Sequence, residues 1–393
     1  MRIAYIAPYQ GPTVVKRRPI VRNLSLAARV KIELIAELLQ KSSHSLETLS
    51  QGEVIEQQFK FYPGFRELEP FHPDIPVYYA AAFPVRFVNG VWSNLNMLRL
   101  FKKRHRLAPF DLVIIYDLKL PQITCANYAI RKLGLPVILE YEDDVFADRW
   151  GKSDTTFRTR WQETAARKLL ASVSGGFGCS PYLMAQMPPA TPTLLLRGVV
   201  SSHIATSNGQ ANASRKNWVV FSGTLEGSQG EKQLVEAWEM LKLPDWELHI
   251  AGRGPIKDTL EKLAGNNRSI VFHGFLNKEE NARLLCTAKI GMNPQDLSQI
   301  PGNTFPFKII EYLAAGTHVI TTPRGRLEQE LDAGVSYIAD NSAESIAASL
   351  KQVIAERRYE KTVVDPALKT YGPAAVSKSL NILIEQAKAG PRN

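Results

Sequence analysis

Short runs that are apolar at consecutive positions alternate along this chain with longer stretches whose apolar residues recur every three or four positions. Arg2 to Ala7, Ser45 to Leu49, Asp111 to Asp117 and Pro136 to Asp144 are runs of the first kind. Between them, a Gly11-Pro12 turn and a basic loop lead to a stretch with helical spacing from about Asn23 to Leu39. Further helices are predicted from about Asn89 to Arg104 and near Ile123 to Leu133, with a Pro-rich, aromatic segment from Phe59 to Phe87. Strands apolar on both faces that alternate with helices predict a parallel sheet covered on both sides. A Rossmann-like domain is therefore expected over residues 1–200. Ser201 to Lys216 is polar and rich in Ser, Asn and Gly, which suits a linker over 201–216.

The alternation then restarts. Trp218 to Ser222, Trp246 to Gly252, Ser269 to Phe275 and Ala288 to Pro294 read as strands, and Glu231 to Leu241 as a helix. Residues 217–370 are expected to form a second Rossmann-like domain, with a last helix from about Ala374 to Lys388 inside a closing segment, 371–393. Open α/β sheets bind ligands beyond the C-terminal ends of their strands, so two such domains facing each other would share a central cleft.

Composition narrows the class. A chain of 393 residues suits two domains better than one, and 45% hydrophobic content is that of a soluble globular protein. No apolar run reaches bilayer-spanning length, and Met1 to Pro8 is too short and too soon interrupted to read as a signal peptide. Cys125, Cys179 and Cys286 are odd in number and far apart, which favours reduced thiols and a cytoplasmic setting. The seven histidines show no pair at zinc-ligand spacing, and no metal is expected. The formal charge of +10 calls for acidic substrates, an anionic membrane surface or nucleic acid. Lys16-Arg17-Arg18 and the run from Arg99 to Arg106 lack the interleaved aromatics and glycines of a single-strand binder, which disfavours nucleic acid.

The segment from Asn303 to Thr322 carries the densest chemistry. Its spacing predicts a helix capped at Thr304, with Pro306 in the first turn, ended by Gly316 and followed by a β-branched strand. Such a helix would aim free N–H groups and its positive end at an anion such as a diphosphate. Lys308 and Glu311, three apart, share a face. Together they offer a cation for phosphate and a carboxylate that accepts from sugar hydroxyls. A buried helix with an ordinary surface ion pair would show the same spacing.

Four motifs then follow one another in order: Phe221 to Gly230 after a strand, Ala251-Gly252-Arg253-Gly254-Pro255, Val271-Phe272-His273-Gly274-Phe275, and the segment ending in Glu311. In this the chain resembles the GT-B glycosyltransferases, specifically the retaining glycosyltransferase family 4, also called glycosyl transferases group 1. The resemblance covers about Trp218 to Ala339 well and the first domain mainly by pattern. It implies an α/β chain of GT-B fold, two Rossmann-like domains about a central cleft, with the final helix returning to the first domain. It also implies a nucleotide-sugar donor, transfer with retention, and no cofactor or metal.

Residue by residue, the resemblance implies that Gly11, Gly223, Thr224, Arg253, Gly274, Phe275, Leu276, Thr304, Phe305, Lys308 and Glu311 lie about the donor. Glu311 would contact the ribose, and backbone groups from Gly274 to Leu276 would hold the base. The chain also departs from the pattern. Thr224 and Gln229 stand where an arginine and a lysine usually neutralise the diphosphate, and Asn303 stands where a first glutamate usually contacts the transferred sugar. Lys308, Arg253, Lys232 and Arg324 are the cations that could substitute, with Lys16-Arg17-Arg18 near Gly11.

Glu140, Glu142, Asp143 and Asp144 crowd a strand end in the first domain, where a doubly wound sheet places functional loops. Asp143 and Asp144 are candidates, with Asn303, for the chemistry of transfer, binding acceptor hydroxyls or assisting their deprotonation; Asp117 is a further candidate. A solvated acidic loop would look the same. The expected protein is a glycosyltransferase serving a cell-surface polysaccharide or glycoconjugate, acting on a glycan or lipid-linked acceptor, with peripheral contact to an anionic membrane. A nucleotide-sugar epimerase and a binding protein with a degenerate donor site are the rival readings.

Overall fold

The computed structural model describes all residues except 19–25, 55–58, 86–88, 147–156, 212–214, 299–304, 324–328 and 391–393. The chain divides into two compact units, Met1–Arg197 with Ser377–Asn393, and Gly198–Val376.

In the first unit eight strands form one sheet: β1 Arg2–Ile6, β2 Ser45–Ser50, β3 Phe65–Arg66, β4 Val77–Tyr79, β5 Leu112–Tyr116, β6 Val137–Glu140, β7 Gly175–Gly178 and β8 Thr193–Leu195. Their order is β3-β4-β2-β1-β5-β6-β7-β8, and every pair is parallel except β3 with β4. β1 and β5 are buried along almost their whole length, as a sheet covered on both faces requires. The core on one face joins Ile6, Val113, Ile115 and Leu139 to Met97 and Phe101 of the helix Asn89–Leu107. The final helix, Pro373–Ala389, places Asn381 within hydrogen-bond distance of His44 (2.7 Å) and Ser42 (3.1 Å).

The second unit carries six parallel strands: β9 Lys216–Ser222, β10 Glu247–Ala251, β11 Ile270–Gly274, β12 Ala288–Asn293, β13 His318–Thr321 and β14 Val335–Tyr337. Their order is β11-β10-β9-β12-β13-β14. β9 and β12 lie side by side, and the chain runs outward from β9 before crossing back to β12. Such a reversal opens a crevice at the C-terminal strand ends.

Two expectations differ from the structure. The presumed linker is largely a helix, Ser202–Ala211, whose Ile204 joins the core with Leu284, Leu285 and Tyr312. Polar composition hides it, because Ile204 is its single large apolar residue. The helix before β13 runs Lys308–Ala314, seven residues, with Phe307 rather than Thr304 at its N-cap. Its start is too short and too late for an N-terminal anion site. Gly316 does follow its end, at φ +75°.

Candidate functional site

The glycine turns after β9, β10 and β11 interlock. Gly223 N–H donates to Ala251 O (3.0 Å), Leu225 N–H to Arg253 O (3.0 Å), and Gly252 N–H to Gly274 O (2.7 Å). A Cβ on Gly252 would lie 1.8 Å from Gly223 O, and one on Gly254 2.1 Å from Leu225 O, so both positions need glycine for close approach. Gly274 needs it for conformation, at φ +65°. The turn from Gly223 to Gly230 is closed by Glu231, fully buried, whose Oε1 accepts from the N–H groups of Glu226 (2.8 Å) and Gly227 (3.4 Å).

Lys308 reaches this turn. Its ammonium lies 4.2 Å from the centroid of the Phe221 ring and donates to Gln229 Oε1 at 3.3 Å. A Cβ on Gly223 would stand 2.9 Å from Lys308 Nζ, so the glycine leaves the ammonium room at the turn. Burial lowers the ammonium to a pKa of about 8, against the pull of Glu231, Glu311 and Glu226. Burial likewise raises the Glu311 carboxyl to about 7, with Lys308 opposing. Among the described residues the Glu311 carboxylate accepts no hydrogen bond. Tyr312 fixes the helix that carries both: its hydroxyl accepts from Ser222 N (2.9 Å) and donates to Met292 O (3.4 Å). The second unit thus gathers a cation, a carboxylate and the glycine turn at its strand ends, an arrangement suited to a phosphorylated polyol.

The other predicted residues of this unit sit as follows. The Arg253 guanidinium lies 5.0 Å from the Phe275 ring centroid, and both side chains are exposed at neighbouring turns. Thr224 is partly buried at the glycine turn, while Leu276 and Phe305 pack against the core under the Lys308 helix. Lys232 points to solvent, 3.6 Å from Glu236 of its own helix, so it supplies no charge to the turn. Asn303, Thr304 and Arg324 lie outside the described residues. Sequence reasoning missed Glu231 and Gln295, whose Nε2 donates to Gln229 Oε1 at 2.8 Å. A glutamate in the first turn of a helix after a glycine turn is a signal for the former. Nothing in the spacing marks the latter, which comes from a different strand end.

In the first unit Asp117 is fully buried at φ +59°. Its Oδ1 accepts from Glu142 N (2.9 Å) and Asp143 N (3.1 Å), while Oδ2 is buried without a partner. Burial, with the Asp143 charge, raises its carboxyl to about 7. Glu140 is also fully buried, accepts from Tyr5, and rises to about 8 through burial, against Lys31. Lys31 pairs with Glu142 and lies 3.9 Å from Glu140. Asp143 is exposed, and Asp144 Oδ1 accepts from Phe146 N at 2.9 Å. Glu140, Glu142 and Asp117 therefore build the loop, and Asp143 is the carboxylate it presents to solvent. No three of these groups are placed to share a metal ion among the described residues.

Gly11, Lys16 and Arg18 are engaged within the first unit, while Arg17 is exposed with its guanidinium 4.6 Å from the Phe65 ring centroid. Gly11 N–H donates to the Tyr79 hydroxyl at 2.7 Å, and a Cβ there would lie 2.2 Å from Glu67 Oε2. Its backbone donor is already used, and the adjacent carboxylate would repel a phosphate. Arg18 is 1% exposed and donates to the carbonyls of Gln51, Gly52, Pro63 and Ala80 at 2.8–3.0 Å, so it is an internal strut rather than a free cation. Lys16 is paired at the surface with Glu69.

The family model described as Glycosyl transferases group 1 matches residues 205–369, a stretch that includes the glycine turns, Lys308 and Glu311. A GDP-mannose-dependent alpha-(1-6)-phosphatidylinositol dimannoside mannosyltransferase of Mycobacterium tuberculosis is 32% identical over 111 residues. That match spans 28% of this chain and 28% of the relative. Among solved structures, sucrose-phosphate synthase from Thermosynechococcus elongatus aligns with TM-score 0.69 and 15% identity, covering 99% of each chain. UDP-GlcNAc 2-epimerase from Neisseria meningitidis, bound to UDP-GlcNAc, aligns with TM-score 0.58 and 11% identity, over 98% of this chain and 100% of that one. The fold is GT-B, with two Rossmann-like domains.

Proposed function

We propose, from the match of residues 205–369 to the Glycosyl transferases group 1 model, that the protein is a glycosyltransferase using a nucleotide-sugar donor. The observation that carries this reading is the placement of Lys308, which shares its helix and its electrostatic surroundings with Glu311, against Gln229 of the glycine turn after β9. Lys308 meets the diphosphate as a point charge, and Glu311, whose carboxylate accepts no hydrogen bond among the described residues, accepts from the ribose hydroxyls. Arg253 and Phe275 flank the donor, and backbone groups from Gly274 to Leu276 hold its base. Transfer proceeds with retention and without a protein nucleophile or metal, the departing phosphate helping to deprotonate the acceptor. Asn303 contacts the transferred sugar, and Asp143 and Asp144 bind acceptor hydroxyls.

The acceptor is a glycan or lipid-linked glycoconjugate of the cell surface, approached from the cytoplasmic side. A stripe on the helix Asn89–Leu107 supports contact with an anionic membrane. Val91, Leu95 and Leu107 are 64%, 46% and 65% exposed, and Arg99, Lys103 and Arg106 are exposed beside them. Arg104 is excluded from this set, because it is held by Glu47 (2.8 and 2.7 Å) and stacks on Tyr78. No helix among the described residues is long and apolar enough to cross a membrane.

Thermal stabilisation by GDP-mannose, UDP-glucose and UDP-GlcNAc, followed by assay of the stabilising sugar for transfer, tests the proposal. Transfer that requires an acceptor supports it. Because an epimerase shares the fold, conversion of the nucleotide sugar without any acceptor would replace it with that reading. The absence of binding to all three would point to a degenerate binding protein.

A further inference from the structure

The turn after β9 carries a side chain whose hydrogen bonds leave half of it unused. Gln229 Oε1 accepts from Gln295 Nε2 at 2.8 Å and from Lys308 Nζ at 3.3 Å. An ammonium can only donate, so Lys308 fixes the oxygen end of the Gln229 amide inward. Gln295, 6% exposed, must then present its amino group, and its own Oε1 is left buried without a partner. The Gln229 amino group is thereby turned away from both neighbours. It donates to no described residue, and it is not among the enclosed unpartnered atoms, so it is open to a ligand at the turn.

Resting on the nucleotide-sugar reading above, we infer that Gln229 is a neutral hydrogen-bond donor to the diphosphate and that Gln295 is its positioning residue. Lys308 and Gln295 together hold the amide in its donating orientation. A lysine at 229 would set a second ammonium beside Lys308, where like charges repel. The amide adds a donor at that point without adding charge. The stranded oxygen of Gln295 is the structural cost of that orientation.

Calorimetric titration of the full chain with UDP, GDP, UMP and GMP tests this. Gln229→Met is expected to weaken the preferred diphosphate about tenfold or more while leaving the monophosphate within about twofold. Gln295→Met and Gln295→Glu are expected to give the same selective loss, and Gln295→Met to add nothing in a Gln229→Met background. Additive losses, or equal losses for diphosphate and monophosphate, would overturn the assignment. If the Gln295 variants fail to fold, Gln229→Met, at a partly buried turn position, still decides it. Diphosphate binding by the parent that Gln229→Met leaves unchanged overturns this inference alone, whereas no diphosphate binding by the parent overturns it together with the donor reading.

Discussion

At the scale of single residues, Lys308 and Glu311 carry the account, and each is held away from its ordinary ionisation by burial. Lys308, lowered to about 8, loses its charge as pH rises through that value, and Glu311, raised to about 7, loses its charge as pH falls through its own. Affinity for a nucleoside diphosphate is therefore expected to peak between about pH 7 and 8 and to decline on both sides. Lys308→Arg should abolish the alkaline decline, because a guanidinium stays charged. A pH series of titrations on both proteins checks this, and an alkaline limb unchanged in the variant would remove Lys308 from the phosphate. Glu311→Ala is expected to cost about 1.5–3 kcal/mol of nucleotide-sugar affinity with the fold intact, since that carboxylate supports no hydrogen bond among the described residues. Matching affinities in variant and parent would contradict its role. That the two share one short helix and each other's electrostatic surroundings was legible in the sequence from their spacing. Their partner Gln229 was legible only as a departure from a pattern, and Gln295 not at all, because its role arises where two strand ends meet.

At the scale of elements, the acidic loop after β6 is organised from β5. Asp117 accepts the N–H groups of Glu142 and Asp143, and its ionisation is disfavoured by burial. The fold raises its pKa from 3.8 to about 7, so its protonated form is the stabilised one. That contribution is fully present below about pH 3.8 and is lost as pH rises through about 7. Asp117→Asn keeps the acceptor oxygen without the charge, and at pH 8 it should be more stable than the parent by about 1–4 kcal/mol. Denaturant unfolding at pH 5 and 8 measures the difference, and an equal effect of the substitution at both pH values would contradict it. β7 makes a second point. Its Gly175-Gly176-Phe177-Gly178 sequence gives no strand signal, yet a Cβ on Gly178 would stand 2.1 Å from Tyr141 O. Glycine is there because the neighbouring strand end leaves no room. Gly178→Ala is expected to cost about 1–3 kcal/mol of stability, measurable by the same unfolding. The continuous apolar strands β1, β5, β9 and β10 were readable because burial on both faces writes itself into consecutive residues. β7 and the helix Ser202–Ala211 were not, since close packing in one and a single large apolar residue, Ile204, in the other leave no such trace.

At the scale of the whole molecule, the net charge of +10 divides into fixed and free cations. Arg18 and Arg104 are tied to carbonyls and to Glu47, which leaves Arg99, Lys103 and Arg106 as the exposed set on one helix. Each basic residue near an anionic leaflet contributes about 1 kcal/mol. Changing Arg99, Lys103 and Arg106 together to Gln should thus abolish co-sedimentation with anionic liposomes. Binding by the parent that ignores lipid charge, or survives these changes, would assign the excess charge to acidic substrates instead. The two-domain α/β architecture was legible from alternation alone, and the order of four motifs pointed to the family that residues 205–369 match. What the chain of residues could not reveal is which cations are already spent inside the fold, because an arginine reads the same on a surface and in a cage of carbonyls.

The central claim is that the glycine turn after β9, with Lys308 and Glu311, is a nucleotide-sugar site. Its most direct test is calorimetric titration of the parent protein and Lys308→Met with a nucleotide sugar, its nucleoside diphosphate and its nucleoside. The account predicts that the parent binds the first two, that Lys308→Met weakens both by about tenfold or more, and that weak nucleoside binding is unchanged. A parent protein that binds none of them, or a variant that loses all three equally, would contradict it.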